Sequence, residues 1–183
     1  TSARQAYTKV EENALLTGRP SEATVALLRR YDLAELAVRQ PDEVVRQLHQ
    51  KAVATGGRSL LFALAEMSYV AGDHIRRSLK PWDPRDARDY YLGSAVYAWL
   101  FLFGDGTEPA PGFLDRRLRQ AADFYNYGLG MALTERRSTN AIVELEGGRR
   151  QLPVGSIELK TDFTNFTLPV DNFEEFLLAD RFR

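Results

Sequence analysis

The sequence predicts a mainly α-helical fold with a small C-terminal β segment. Three observations carry that reading. Apolar residues recur at helical spacing in six segments before residue 138. Glycine or proline closes most of those segments. From about residue 139 the pattern changes to alternation rich in β-branched residues. The organisation expected is a helical domain over 1–138, followed by a short β segment and connection over 139–183.

Each element has its own signal. Residues 2 to 16 place Ala3, Tyr7, Val10 and Ala14 at helical intervals, and "TGRP" ends the run. Ser21 is suited to cap the next helix, with Val25, Leu28 and Tyr31 on one face. Pro41 fits the first turn of a third helix that carries Val45, Leu48 and Ala52 and stops at Gly56-Gly57. A fourth helix is expected over 58 to 71, ended by "AGD". The fifth, "YYLGSAVYAWLFLFG", is apolar on nearly every side. It falls short of the ~20 residues that span a bilayer, so it is read as a buried central helix of a chain that is not transmembrane. The sixth starts near Phe113, with Leu114, Leu118, Ala121, Tyr125, Leu129 and Ala132 as its stripe.

The last two helices are joined by a short loop and should pack antiparallel. Tyr91, Ala95, Ala98, Leu102, Leu118, Tyr125 and Leu129 are therefore expected to be buried together. Beyond them, Ile142 to Leu145, Gly147-Gly148 and Arg149 to Leu152 read as a hairpin, and "GSIELK" as a third strand. Ile142, Leu145, Ile157 and Leu159 are expected on the helix-facing side, and an open strand edge would favour another polypeptide.

Composition limits function. At 183 residues with 44% hydrophobic and 27% charged positions, the chain can bury a sizeable core. The net charge of −1 argues against nucleic acid as a partner. Without cysteine there is no disulfide, thiol catalysis or cysteine-held metal. A start at Thr1, without Met or an apolar leader, fits a processed or trimmed product.

No complete catalytic motif is present. "GGRSL" and "LGSAV" approach a nucleophile elbow, but each lacks the second glycine and a preceding strand. His49 and His74 stand beside polar or basic residues, with no second ligand for a metal and no phosphate loop elsewhere. No catalytic, cofactor-binding or metal residue is therefore assigned. The polar residues singled out are Glu66, inside an apolar helix, and Asn126 between Tyr125 and Tyr127. A buried Glu66 needs a partner, which neighbouring arginines are expected to supply. Asn126 is read as structural, with ligand contact as the alternative. Gly128 and Gly130 are read as making room for the helix around Tyr97 and Trp99, since glycine in a helix costs about 1 kcal/mol against alanine.

Tyr69, Tyr97 and Tyr125 each follow small residues at intervals of 28. That pattern resembles the stacked helical hairpins of tetratricopeptide proteins, although their usual repeat is longer. A second resemblance rests on the order of "ALLRRYDLAEL", "LHQKA", "SLLFALAEMSYVAGD", "DYYLGSAVYAWLFLFGDG", "FLDRRLRQAADFYNYGL", "LPVGSIELK" and "FLLADRFR". Over roughly residues 23 to 183 the chain is similar to the N-terminal helical region of bacterial envelope-associated α/β-hydrolase-fold proteins. Their catalytic domain follows a stretch like "LLADRFR", so no catalytic residue of that family transfers to this chain.

The resemblance implies a non-catalytic portion of an esterase- or lipase-type protein of the cell envelope, supporting or capping an active site outside this chain. The implied partner is a downstream hydrolase domain or a separate chain, engaged at residues 154–183. The alternative is a stand-alone helical-repeat module that binds a protein partner. The apolar, aromatic-bearing stretch "EEFLLADRFR" leads to the expectation of a truncated or partner-bound chain.

Overall fold

The computed structural model describes residues 14–78, 82–105, 108–137, 140–143 and 147–160. Among these lie seven helices. They are α1 (Ala14–Thr17), α2 (Glu22–Arg30), α3 (Ala34–Arg39), α4 (Pro41–Thr55), α5 (Arg58–Arg77), α6 (Ala87–Phe103) and α7 (Arg116–Leu133). Four short strands follow: β1 (Thr134–Arg137), β2 (Asn140–Val143), β3 (Gly148–Gln151) and β4 (Ser156–Leu159). The fold is mainly α with a small C-terminal β segment, and its long helices form antiparallel hairpins.

Capping sets several boundaries. Ser21 caps α2 through the Thr24 N–H, Asp86 caps α6 through Arg88 N–H, and Asp115 caps α7 through Arg117 N–H. Asp115 displaces the expected start of the last helix from Phe113 to Arg116. Leu114, expected in the buried stripe, therefore precedes the helix and is 91% exposed. α5 runs past the expected stop at residue 71, because Gly72 serves packing rather than termination. A Cβ there would meet the Tyr91 ring at 3.1 Å and the Ala87 carbonyl at 3.2 Å.

Antiparallel packing follows from the contacts. The start of α5 meets the end of α6, where Arg58 reaches the Phe101 carbonyl. The middle of each meets at Ser94, whose hydroxyl donates to Ala65 O at 2.8 Å. The end of α5 meets the start of α6 at Gly72 and Tyr91. α7 then returns along α6, with Gly128 against the backbone of Tyr91 and Ala95. One core joins Val44, Val45 and Leu48 of α4 to Phe62, Leu64 and Met67 of α5, Phe101 of α6 and Phe124 of α7. Phe62 lies in tilted and edge contacts with Phe101 and Phe124, at centroid separations of 5.4 and 6.2 Å.

Of the residues expected to share the core, Tyr91, Ala95 and Ala98 are buried. Leu102, Leu118, Tyr125 and Leu129 are only half-buried. The buried line on α7 is Ala121, Phe124, Gly128 and Ala132. Gly128 turns the helix so that its bare Cα faces α6, with Tyr91 O just 2.7 Å from an ideal Cβ. Ala121 and Ala132 lie on the buried line as expected, but Phe124 and Gly128 stand where Tyr125 and Leu129 are expected. The glycine makes room, as expected, but for Tyr91 and Ala95 rather than Tyr97 and Trp99.

The β segment pairs differently from the expected hairpin. β1 pairs antiparallel with β2, and β3 pairs antiparallel with β4. The tight turn lies at Leu152–Gly155, where Leu152 N–H donates to Gly155 O at 3.0 Å. Pro153 pre-sets the chain, and Gly155 takes φ of 89°, a left-handed value that glycine adopts freely. Ile157 and Leu159 are half-buried while Ser156 and Glu158 are exposed, which is the expected alternation. The side chains of Ile142 and Leu145, and the expected contact surface from 161 onward, lie outside the described residues.

Candidate functional site

Glu66 occupies a fully buried position on α5, beneath the junction of α1 and α2. Among the described residues its partners are not arginines. Oε1 accepts from Ser21 N–H at 2.9 Å and from Ala14 N–H at 3.3 Å, and Oε2 accepts from the Ser21 hydroxyl at 2.7 Å. Ser21 therefore caps α2 and holds the carboxylate at once, because its hydroxyl both donates and accepts. A carboxylate at a helix N-terminus also complements the helix dipole. Burial pushes the Glu66 carboxyl up from its ordinary value, while the hydroxyl and backbone donors pull it back. Thr24 Oγ1, buried nearby, acts in the same direction without forming a well-directed hydrogen bond of its own. The site is a closed polar clamp between helices.

A second clamp was not legible in the sequence. Arg58, at the start of α5, sends Nη1 to the Phe101 carbonyl and Nη2 to Gly104 O at 2.9 Å and Glu108 O at 3.3 Å. Its backbone N–H donates to the Glu108 carboxylate at 3.1 Å. The guanidinium thus satisfies carbonyls at the C-terminal end of α6, where a cation also suits the helix dipole. Nothing local marks Arg58 for this role, since its partners are 43 to 50 residues away.

Ser94, Ser59, His49 and Asp73 each have a structural occupation. Ser94 is buried and bonded to Ala65 O. Ser59 Oγ accepts from Arg117 Nη1 at 3.0 Å. His49 is half-buried, and its Nδ1 lies 2.8 Å from the Tyr97 hydroxyl. Burial pushes the Tyr97 hydroxyl up to about 12, so it stays protonated at neutral pH. His74 is exposed. Asp73 takes ion pairs from Arg76 at 2.7 Å and Arg77 at 2.6 Å, which closes the end of α5. Among the described residues neither serine is bonded to a histidine, and no cluster of three His, Asp or Glu could hold a metal.

The structure separates the polar residues singled out in the sequence. Glu66 is in the core, whereas Asn126 is exposed on α7 between half-buried Tyr125 and Tyr127. Asn126 needs no buried partner, which removes the requirement that made it conspicuous. The three evenly spaced tyrosines occupy unlike settings. Tyr69 packs on the Tyr91 and Phe124 rings, Tyr97 meets His49, and Tyr125 sits at the core's edge.

The exposed large apolar residues of α6 are aromatic. Leu92, Val96, Trp99 and Phe103 follow one side of α6 at spacings of four, three and four. That side lies about half a turn from Ser94 and Phe101, which touch α5. Around its first turns the β3–β4 hairpin closes over the helix. Pro153 comes within 3.1 Å of an ideal Cβ at Gly93, and Leu152 and Ile157 pack on the cluster of Tyr91, Leu92 and Ala132. Further along, the Trp99 and Phe103 rings meet in a tilted contact, 6.0 Å apart, and remain 47% and 65% exposed. No helix among the described residues is long and apolar enough to cross a membrane. In comparisons with known proteins, no family model, curated protein or solved structure matches the chain.

Proposed function

We propose that this chain is the non-catalytic helical portion of an α/β-hydrolase-like envelope protein, supporting or capping an esterase- or lipase-type active site that lies outside it. The observation that carries the supporting role is the half-covered side of α6. The β3–β4 hairpin seals its first turns, and a tilted Trp99–Phe103 pair stands open beyond. Large exposed aromatics beside a sealed apolar cluster suit a further packed layer. The hydrolase assignment rests on the sequence resemblance. It is compatible with interior serines and a histidine that are engaged in holding helices together. A helical module binding a protein partner is the second reading, favoured by the arginine-lined groove described below.

The test is a photo-crosslinking residue at Phe103 in the cells that make the protein, followed by labelling with a fluorophosphonate that marks active serine hydrolases. A crosslinked product that carries the label is expected. A crosslinked partner without the label would overturn the hydrolase assignment in favour of the module. A face that crosslinks to nothing would overturn the supporting role given to this side of α6. The chain alone should not turn over a short-chain nitrophenyl ester; turnover abolished by Ser59→Ala or Ser94→Ala would show it to be catalytic itself.

A further inference from the structure

We propose that the groove between α2 and α7 binds an extended acidic peptide segment. Two adjoining cavities, about 690 and 300 Å³, share Ala23 and Arg117 on their walls and so form one channel along α2. Four arginines line it: Arg19 and Arg116 at one end, Arg117 in the middle and Arg30 at the other end. Arg117 is held by Asp115 at 2.8 Å and Ser59 at 3.0 Å, and lies over the Phe101 ring, so its position is fixed. Arg19, Arg30 and Arg116 have no acidic partner among the described residues and are exposed. Of the two carboxylates on the walls, Asp115 is already paired with Arg117, which leaves Glu22.

Shape selects the ligand. Nine residues of α2 give a channel of about 14 Å, enough for about four extended residues. Between its ends the walls present Ala23, Ala26 and Leu27 beside Arg117, whose charge is already met by Asp115. A small inorganic anion would use one end and leave this middle empty. A segment with acidic residues at both ends and an apolar residue between them meets both features, since guanidinium pairs well with carboxylate. The site is separate from the Trp99–Phe103 side, so either assignment can fail alone.

A fluorescein-labelled hexapeptide with Asp and Glu at its ends and Leu in the middle is the probe, titrated against the whole chain by fluorescence polarisation. Saturable binding is expected, weakened at least about tenfold in the Arg19→Glu, Arg30→Glu, Arg116→Glu triple variant. Phe103→Ala should leave it unchanged, and Glu22→Gln should tighten it. The substituted arginines are exposed, and an unchanged far-ultraviolet circular dichroism spectrum confirms the fold. Equal affinity for a peptide with Lys in place of the acids would overturn the proposal. So would an unaffected triple variant, absence of saturable binding, or full displacement by equimolar inorganic phosphate or oligothymidine.

Discussion

Replacing Glu66 by alanine should be among the most damaging single changes in this chain. The carboxylate satisfies three donors at the junction of α1, α2 and α5: Ala14 N–H at 3.3 Å, Ser21 N–H at 2.9 Å and Ser21 O–H at 2.7 Å. Each donor left unpaired in a buried place costs about 1–3 kcal/mol. The long Ala14 contact belongs at the low end, and the Ser21 hydroxyl can turn toward another acceptor. Truncation of the buried side chain adds about 1 kcal/mol of lost packing. Against this stands relief from holding a charge away from water. The net expectation is a loss of about 3–5 kcal/mol, or about 10 °C in Tm for a chain of this length. Urea unfolding followed by circular dichroism measures it. A loss below about 1 kcal/mol would refute the clamp. Ser21→Ala alone should cost about 1–2 kcal/mol, and the two changes together should cost clearly less than their sum, because both break the same bonds.

The same residue gives a pH signature. Burial raises the folded-state value of the Glu66 carboxyl above its ordinary 4.5. Below about 4.5 the group is protonated in both states. Between that value and the raised one only the folded chain keeps the proton, so this group's stabilisation is lost as pH rises through the window. Glu66→Gln removes the titration. The difference in unfolding free energy between wild type and Glu66→Gln should therefore shift in favour of the variant as pH rises from about 4.5 toward neutrality; a difference constant with pH would contradict the raised value.

Other changes probe the remaining contacts. Gly128→Ala improves helix propensity by about 1 kcal/mol, yet its Cβ would stand 2.7 Å from Tyr91 O and 3.1 Å from Ala95 N, so a net loss of about 1–3 kcal/mol is expected in urea unfolding. Arg58→Lys keeps the charge but loses the planar fork that reaches three carbonyls, and should cost about 2 kcal/mol, visible as a lower Tm. Tyr97→Phe removes the bond to His49 and should cost about 1 kcal/mol at neutral pH. The Tyr97 hydroxyl is pushed up to about 12, so its stabilisation is present below the ordinary value of 10.0 and lost as pH rises beyond it. Alkaline unfolding should accordingly be less steep in the variant.

Local signals located most helices because each depends on nearby residues. Ser21, Pro41 and the Gly56-Gly57 pair act within a turn of the helix they bound, so they are readable in place. The long-range partners are not. Glu66 is visible as an odd carboxylate in an apolar run, but the choice between an arginine and the N-terminus of α2 depends on how helices 45 residues apart cross. Arg58 is less visible still, since an arginine at a helix start resembles any solvated cation until the end of α6 arrives beside it. The stripe on α7 failed for a related reason. Counting apolar residues favours Leu118, Tyr125 and Leu129, whereas the closest approach of two backbones is set by the residue with no side chain, Gly128. In the β segment the glycine pair at 147–148 drew attention from "LPVG", whose proline and left-handed glycine make the observed turn.

Small residues decide where the helices touch: Gly72 and Gly128 against Tyr91, Ser94 against Ala65, Gly93 against Pro153. Where such contacts occur the backbones come close and little surface is left. On α6 Tyr91, Tyr97 and Phe101 fill the buried sides, while Trp99 and Phe103 stand past the reach of the β3–β4 hairpin. Their exposure follows from the packing of the helix, so removing them should leave the fold intact. Trp99→Ala with Phe103→Ala should change unfolding free energy by less than about 1 kcal/mol, because neither ring is fully buried. If the pair instead costs more than about 2 kcal/mol in the isolated chain, the rings belong to the core, and the open side of α6 cannot be the surface on which another polypeptide packs.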